Sequence, residues 1–281
     1  MIDLHTHTNA SDGTDTPREL VNKALSLGIS VLGITDHDTT SCWVQAVQSV
    51  RGNIKLALGS EISCLTNEGI SVHMLGLLFD GTHLGIQSML EDNRDGRLPR
   101  MRKMIEKMRV AGIDISMHDV ESALPKGATL GRPHLADALV NKGIIKSRDE
   151  AFQGMLNNDS AFYVSHAAPT PVEAIRVITQ AGGVAVIAHP FASMRGQIVN
   201  STDFEELVEA GLHGIEVDHR DQNSSERAML RAIAKELDLL VTGASDYHGN
   251  GKVNSLGEFQ TAPDQWEKLE SLADKRRVVQ A

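Results

Sequence analysis

The chain has 281 residues, of which 41% are hydrophobic and 23% charged, so it can bury a sizeable core and is not a disordered chain. Its formal net charge is -10 and only 4% of residues are aromatic. That balance excludes a duplex-DNA binder with a basic face and leaves few stacking platforms for long single strands.

The predicted elements alternate. IDLH at 2–5 reads as a first strand. "TPRELVNKALSLG" follows as a helix, with Thr16 as cap, Pro17 in the first turn, Glu19 three residues on and Gly28 as the stop. VLGIT at 31–35, IKLALG at 54–59 and VHMLGLLF at 72–79 are continuous apolar runs, the pattern of buried parallel strands. From 85 to 166 the pattern is helical with no convincing buried strand, including "RPHLADALVNKGI". "TPVEAIRVITQAGG" repeats the cap device with Thr170, Pro171, Glu173 and Gly182. GVAVIAH at 183–189, GIEV at 214–217, an amphipathic "SSERAMLRAIAKELDL" and LLVTGAS at 239–245 complete the series. About seven strands alternating with helices predict an α/β fold. Residues 1–84 and 167–281 are assigned to the barrel and 85–166 to a helical insertion contributing to substrate binding.

Cys42 and Cys64 form no Cys-x-x-Cys pair, no basic and apolar leader opens the chain, and no apolar run approaches the roughly 20 residues of a membrane span. A cytoplasmic protein without a membrane partner is expected.

Position matters more than the count of twelve histidines. His5 and His7 close the first strand, Asp36 and His37 the second, and Glu61 follows the third; His73 lies in the fourth. His189 closes the fifth, Glu216 lies in the sixth, and Asp246 and His248 close the seventh. In a closed parallel barrel the C-terminal strand ends converge on one face. His73 sits near the start of its strand and fits only if that strand is reversed or tilted, or if the side chain projects from lower in the barrel. Side chains two apart on extended backbone point the same way, so His5 and His7 can grip one cation, and Asp12 can fold back from its Ser-Asp-Gly turn. Taken singly, His-x-His, "TDHD" and "AHP" are equally readable as caps or packed core histidines. Together they are not, because buried charges must pair or bind metal and the cluster lacks enough lysine or arginine to pair with. Nitrogen and carboxylate donors suit Mn²⁺, Fe²⁺ or Zn²⁺ better than Ca²⁺ or Mg²⁺.

"HTHTNASDG", "TDHD", "GSEIS", "VHMLG", "IAHP", "GIEV" and "SDYH" occur in an order that resembles the PHP (polymerase and histidinol phosphatase) superfamily. The insertion with "GRPHLADALV" is similar to its stand-alone nucleotide phosphoesterases. The resemblance implies a distorted (β/α)₇ TIM-like barrel with a trinuclear metal centre. It implies that His5, His7, Glu61 and Asp246 hold one ion, that Glu61 bridges to a second held by His73 and His189, and that Asp12, His37 and His248 hold the third. Mn²⁺ is the first expectation, with Fe²⁺ and Zn²⁺ as alternatives. Asp36 is read as orienting an imidazole through its other nitrogen and Glu216 as a barrel-interior carboxylate that helps fix the site. The expected chemistry is hydrolysis of a phosphate monoester by hydroxide bridging two cations, with no covalent phospho-enzyme.

Arginine forks match phosphate oxygens, and Arg94 and Arg97, flanking Gly96 before Pro99 starts or kinks a helix, are expected to clamp a second phosphate. Arg100, Arg102 and Lys103 are read as a solvated helix face. Arg132 and His134 in "GRPH" are expected at the substrate, with His134 as the catalytic proton donor or, alternatively, a packed helix-start histidine. His166 and His219 divide between rim and surface; His83, His118 and His213 are read as surface or packing; Met101, Met104 and Met108 as insertion core; and "DKRRV" as a solvated charge run. The leading substrate is a small phosphorylated nucleotide, a 3′,5′-bisphosphonucleotide or AMP. The alternatives are 5′-3′ exoribonuclease action on short RNA, histidinol phosphate hydrolysis and a non-catalytic metal-binding module.

Overall fold

Strands form where short apolar runs meet, and glycines decide how closely they meet. The structure, a computed structural model, describes residues 1–165, 167–274 and 278–280. Strand β1 (Ile2–Asp3) leads through α1 (Pro17–Ser26) to β2 (Val31–Ile34), then α2 (Trp43–Ser49), β3 (Lys55–Leu65) and β4 (Ser71–Leu77). Four helices follow: α3 (Leu84–Val110), α4 (Met117–Ala123), α5 (Arg132–Asn141) and α6 (Arg148–Gln153). The chain returns through α7 (Pro171–Gln180) and β5 (Val184–Ala188), α8 (Asp203–Glu209) and β6 (Gly214–Asp218), α9 (Ser224–Glu236) and β7 (Leu240–Gly243), and ends with α10 (Pro263–Leu272) and β8 (Val278–Gln280).

The first seven strands lie in one sheet in chain order, and a parallel bridge between Thr6 and Tyr247 brings its two edges together at the mouth. The result is a nearly closed, distorted barrel. A Cβ on Gly33 would stand 2.0 Å from the Leu4 carbonyl oxygen, so glycine is what lets β1 and β2 approach. The expected helix caps are present: the Thr16 hydroxyl accepts from the Glu19 amide at 3.3 Å and Glu19 accepts from the Thr16 amide at 2.8 Å. Thr170 and Glu173 repeat this arrangement before α7, and each cap is worth about 1 kcal/mol.

Two features depart from the alternating parallel pattern. Strand β4 is antiparallel to both β3 and β5, and a short turn rather than a helix joins it to β3. Reversal brings the start of β4 to the rim where its neighbours end, so His73 reaches the mouth. Strand β8 adds antiparallel to β3; three residues after a basic run carry too little pattern to be read as a strand. Helix α3 runs unbroken through Gly96 and Pro99. Its first half, at Ile86 and Leu90, packs with the barrel core, while Met101, Met104 and Met108 pack with α4, α5 and α6 in a separate apolar cluster. No helix among the described residues is long and apolar enough to cross a membrane.

Candidate metal centre

The residues at the ends of these strands converge. His5 Nε2, His7 Nε2, Glu61 Oε2 and Asp246 Oδ1 face one point: the imidazole nitrogens are 3.0 Å apart, they lie 3.2 and 3.1 Å from the Glu61 oxygen, and 3.5 and 3.4 Å from the Asp246 oxygen. Donor atoms about 2.1 Å from a shared ion stand about 3.0–3.4 Å from one another, so this spacing fits ligation. The other Glu61 oxygen, Oε1, lies 2.7 Å from His73 Nδ1 and 3.1 Å from His189 Nε2. Glu61 therefore presents one oxygen to each of two groups. Asp12 Oδ1 is 3.2 Å from His248 Nε2, and Asp12 Oδ2 is 3.8 Å from His37 Nε2. His37 also turns Nδ1 to Glu61 at 3.1 Å and so stands between two groups.

Four atoms of this set, Asp12 Oδ1, His37 Nδ1, His73 Nδ1 and His248 Nε2, are buried without a hydrogen-bond partner. Orphaned buried donors and acceptors are costly, and a cation would satisfy them. The donor set fits divalent ions that accept both imidazole and carboxylate.

Neighbouring groups fix the imidazoles. His5 Nδ1–H donates to Glu216 Oε1 at 3.0 Å and His248 Nδ1–H to the Asp246 carbonyl at 2.8 Å, turning each Nε2 towards the cluster. Glu216 Oε2 also accepts the His189 amide at 2.9 Å, which holds His189 at a φ of 31°. Asp246, at φ 52°, is another non-glycine residue in the left-handed region. Asp36 differs from expectation. It accepts from Thr8 N, Thr8 Oγ1 and Ser11 Oγ at 2.8, 2.7 and 2.6 Å, and reaches His7 only through Ser11, so it shapes the Asp12 loop rather than orienting a ring directly.

Electrostatics sorts the protons. Burial drives His37 down to about 3 and His248 down to about 4, leaving neutral rings. Burial opposes ionisation of Glu61 and Asp12, but the surrounding imidazoles hold both well below the usual carboxylate range. Burial also pushes His7 down, yet the Asp246 and Glu61 carboxylates outweigh it and raise it to about 9. Such protons would be displaced by an arriving cation.

Two cations reach the cluster, both at Asp246, too few to pair with the whole set of carboxylates. Arg195 Nη2 and Lys252 Nζ both donate to Asp246 Oδ2 at 2.7 Å, and Arg195 Nε donates to Asp221 at 2.6 Å. Neither residue carries a pattern; Arg195 ends a short 3-10 turn after β5 and Lys252 lies beyond β7, where a search for cations just past the strand ends would have found them. His219 is buried beside them, its Nδ1 accepting from the Asp221 amide at 3.0 Å, so Nε2–H faces Asp246 Oδ2 at 3.4 Å.

The substrate residues divide. Arg132 and Arg195 line a cleft with His73, His189 and Asn158. His73 and His37 are the more open side chains, 26% and 16% exposed against 8% or less for the rest, so the cluster opens on that side. Arg94 and Arg97 instead turn to Asp38: Arg94 Nη1 donates to its carbonyl at 2.7 Å and Arg97 pairs with its carboxylate. The phosphate clamp expected of them is not formed by these contacts. Arg100, expected on a solvated face, donates to the Val164 carbonyl at 2.6 Å. His134 is buried, and its Nδ1 accepts from the Gly131 amide at 3.0 Å, the helix-start role that stood as the alternative to proton donor. His118 is exposed, and His213 Nδ1 accepts from the Ala185 amide, as packing or surface positions should. His166 and the basic run 275–277 lie outside the described residues.

The chain resembles known proteins along most of its length. The chain is 37% identical over 252 residues, 88% of its length and 89% of the relative's, to a 5′-3′ exoribonuclease of Haemophilus influenzae. It is 31% identical, over 89% of its length and 88% of the relative's, to a 3′,5′-nucleoside bisphosphate phosphatase of Chromobacterium violaceum. The crystal structure of a provisionally assigned metal-dependent phosphoesterase from Bifidobacterium adolescentis superimposes with a TM-score of 0.91 at 38% identity, covering 96% of each chain. The PHP domain family profile matches residues 3–139. With the ordered strand-end motifs and this agreement along nearly the whole chain, the protein belongs to the PHP domain family of metal-dependent phosphoesterases.

Proposed function

We propose that this hydrolase removes a phosphate from a small nucleotide, a 3′,5′-bisphosphonucleotide or AMP, using three divalent ions. The observation that carries the reading is Glu61, whose two oxygens face two donor groups beside an arginine-lined cleft. His5, His7, Glu61 and Asp246 would hold one ion, Glu61, His73 and His189 the second, and Asp12, His37 and His248 the third, with Mn²⁺ suiting the mixed nitrogen and oxygen donors. When bound, such ions lower the pKa of water and neutralise phosphoryl oxygens.

The chain's own groups do the rest. Glu216 and the Asp246 carbonyl keep the His5 and His248 lone pairs aimed inward. Arg132 stacks its guanidinium over Phe152 and Tyr163, 5.5 Å from each ring, and the contacts with Leu156 and Asn158 hold its fork at the cleft. Arg195 lines the same cleft from its pairs with Asp246 and Asp221, so the two guanidinium groups together favour a phosphate there, away from the bond being cut. His219 carries a buried N–H towards Asp246 and takes the place of His134, which is held in a helix cap, as the histidine proton beside the cluster.

The exoribonuclease relative favours a second reading, removal of nucleotides from the 5′ end of short RNA. The test is Mn²⁺-loaded protein offered adenosine 3′,5′-bisphosphate, AMP and a 5′-phosphorylated oligoribonucleotide. Phosphate release from the nucleotides with the oligonucleotide intact supports the first reading. Shortening of the oligonucleotide with both nucleotides untouched replaces it by the second. Chelation should abolish turnover and, by removing a ligand of the folded state, lower the melting temperature; binding at about 100 times Kd contributes about 2.7 kcal/mol.

A further inference from the structure

Asp38 follows His37 directly and is fully buried at a φ of 50°. It belongs to none of the donor groups that could hold an ion. Its carboxylate is nonetheless surrounded by donors: Oδ1 accepts from the Ser63 amide at 2.9 Å and Asn93 Nδ2 at 2.8 Å, and Oδ2 accepts from Ser63 Oγ at 3.0 Å and Arg97 Nε at 3.2 Å, with Arg97 Nη2 closer still. The Asp38 amide donates to the Glu61 carbonyl at 3.1 Å and its carbonyl accepts from Arg94. Asn93, Arg94 and Arg97 all come from α3, with 93 and 97 one turn apart on one face. Ser63 stands opposite His73 in the β3–β4 register.

The same helical segment holds the other loop. Arg97 Nη1 donates to the Leu130 carbonyl at 3.1 Å, and the neighbouring Thr129 amide donates to the Ala10 carbonyl at 2.8 Å. Arg148, paired with Asp137 through two 2.6 Å bonds, donates Nη1 to the Asp12 carbonyl at 2.9 Å. The backbones that present Asp12 and His37 are thus both gripped from outside the barrel by residues 93–148.

We infer that this helical segment clamps the cation group of Asp12, His37 and His248, with Arg97, through Asp38, as its principal positioning residue. The inference rests on the metal-binding part of the proposed function and not on its substrate. A ligand loop displaced by an ångström no longer meets the ion, and loss of the partners that orient ligands costs about 10–100-fold in metal affinity. Lysine at position 97 keeps the charge but cannot span Asp38, Ser63 and Leu130 at once.

The experiment is Mn²⁺ titration by calorimetry without substrate, with folding followed by circular dichroism. His37→Ala identifies the binding step that needs this group, and Asp246→Asn the step that needs the neighbouring one. Arg97→Lys should weaken the His37-dependent step about 10–100-fold and leave the other within about threefold. Arg94→Met, a milder change on a half-buried side chain, should weaken the same step by a few-fold and remain folded. Wild-type affinity at that step in both variants, equal weakening of both steps, or no separable His37-dependent step would each overturn the clamp. A wild-type chain that binds no Mn²⁺ would instead remove the metal reading itself, and a nucleotide-inactive chain that binds Mn²⁺ normally would leave the clamp standing.

Discussion

At the scale of single residues, most of the candidate donor set was legible because its members stand at the end of an apolar run. His5, His37, His189, Asp246 and His248 carry that mark in the sequence, and Glu216 was visible as a carboxylate inside a strand. Arg195 and Lys252 were not, since a cation in a short connection between elements has no period to betray it; only the closed barrel brings them within 2.7 Å of Asp246. Their different legibility leads to a paired prediction. Arg195→Ala should raise KM for a nucleotide about tenfold to a hundredfold, the loss of a charged hydrogen bond of about 1.5–3 kcal/mol, with Mn²⁺ content retained because Lys252 still meets Asp246. His134→Ala should lower the melting temperature through the lost cap at the Gly131 amide while kcat stays within about threefold. Steady-state kinetics with metal analysis on both variants decides the matter. A collapse of kcat in His134→Ala alone would restore the proton-donor role to it.

At the scale of elements, the helix starts at Thr16 and Thr170 were readable to within a residue, because a capping box is a local hydrogen-bond exchange. Strand direction was not, because an apolar run looks the same in either sense, and β4 runs against both its neighbours. Glycine is where element packing becomes testable. Gly33→Ala drives a methyl into the Leu4 carbonyl and should cost about 3 kcal/mol, the upper end of overpacking, and weaken Mn²⁺ binding by shifting His5 and His7. Gly69→Ala, at φ 85° with open space around it, should cost about 1 kcal/mol for the left-handed backbone and leave Mn²⁺ binding alone. Denaturant melts with metal titration separate the two; equal costs would mean that β1 and β2 are not held at this spacing.

At the scale of the whole molecule, the two ends of the sheet meet around Asp3. Its carboxylate accepts from Ser245 N and Oγ at 3.0 and 2.6 Å and from Gly257 N at 2.8 Å, joining β1 to the chain beyond β7. Burial outweighs these bonds and raises it from 3.8 to about 6. The folded-state value lies above the unfolded one, so the folded chain keeps the proton longer. Its contribution is full below about pH 4 and fades as the pH rises to about 6, a change of about 3 kcal/mol at 1.36 kcal/mol per unit. Denaturation of the wild type and Asp3→Asn at pH 4, 5, 6 and 7 should show the wild type losing stability relative to the variant across that window. A constant difference would refute the shift.

Local patterns in the chain were enough to specify an α/β fold, two helix caps and a ring of candidate donors at the strand ends, which the resemblance in motif order narrowed to nine, since strand period, cap chemistry and donor type are properties of neighbours along the backbone. The direction of β4, the turn of Arg97 towards Asp38 and the arrival of Arg195 and Lys252 at Asp246 came only with closure of the barrel. Each of these depends on which distant groups compete for the same carboxylate or sheet edge, and that competition exists only once the chain has folded back on itself.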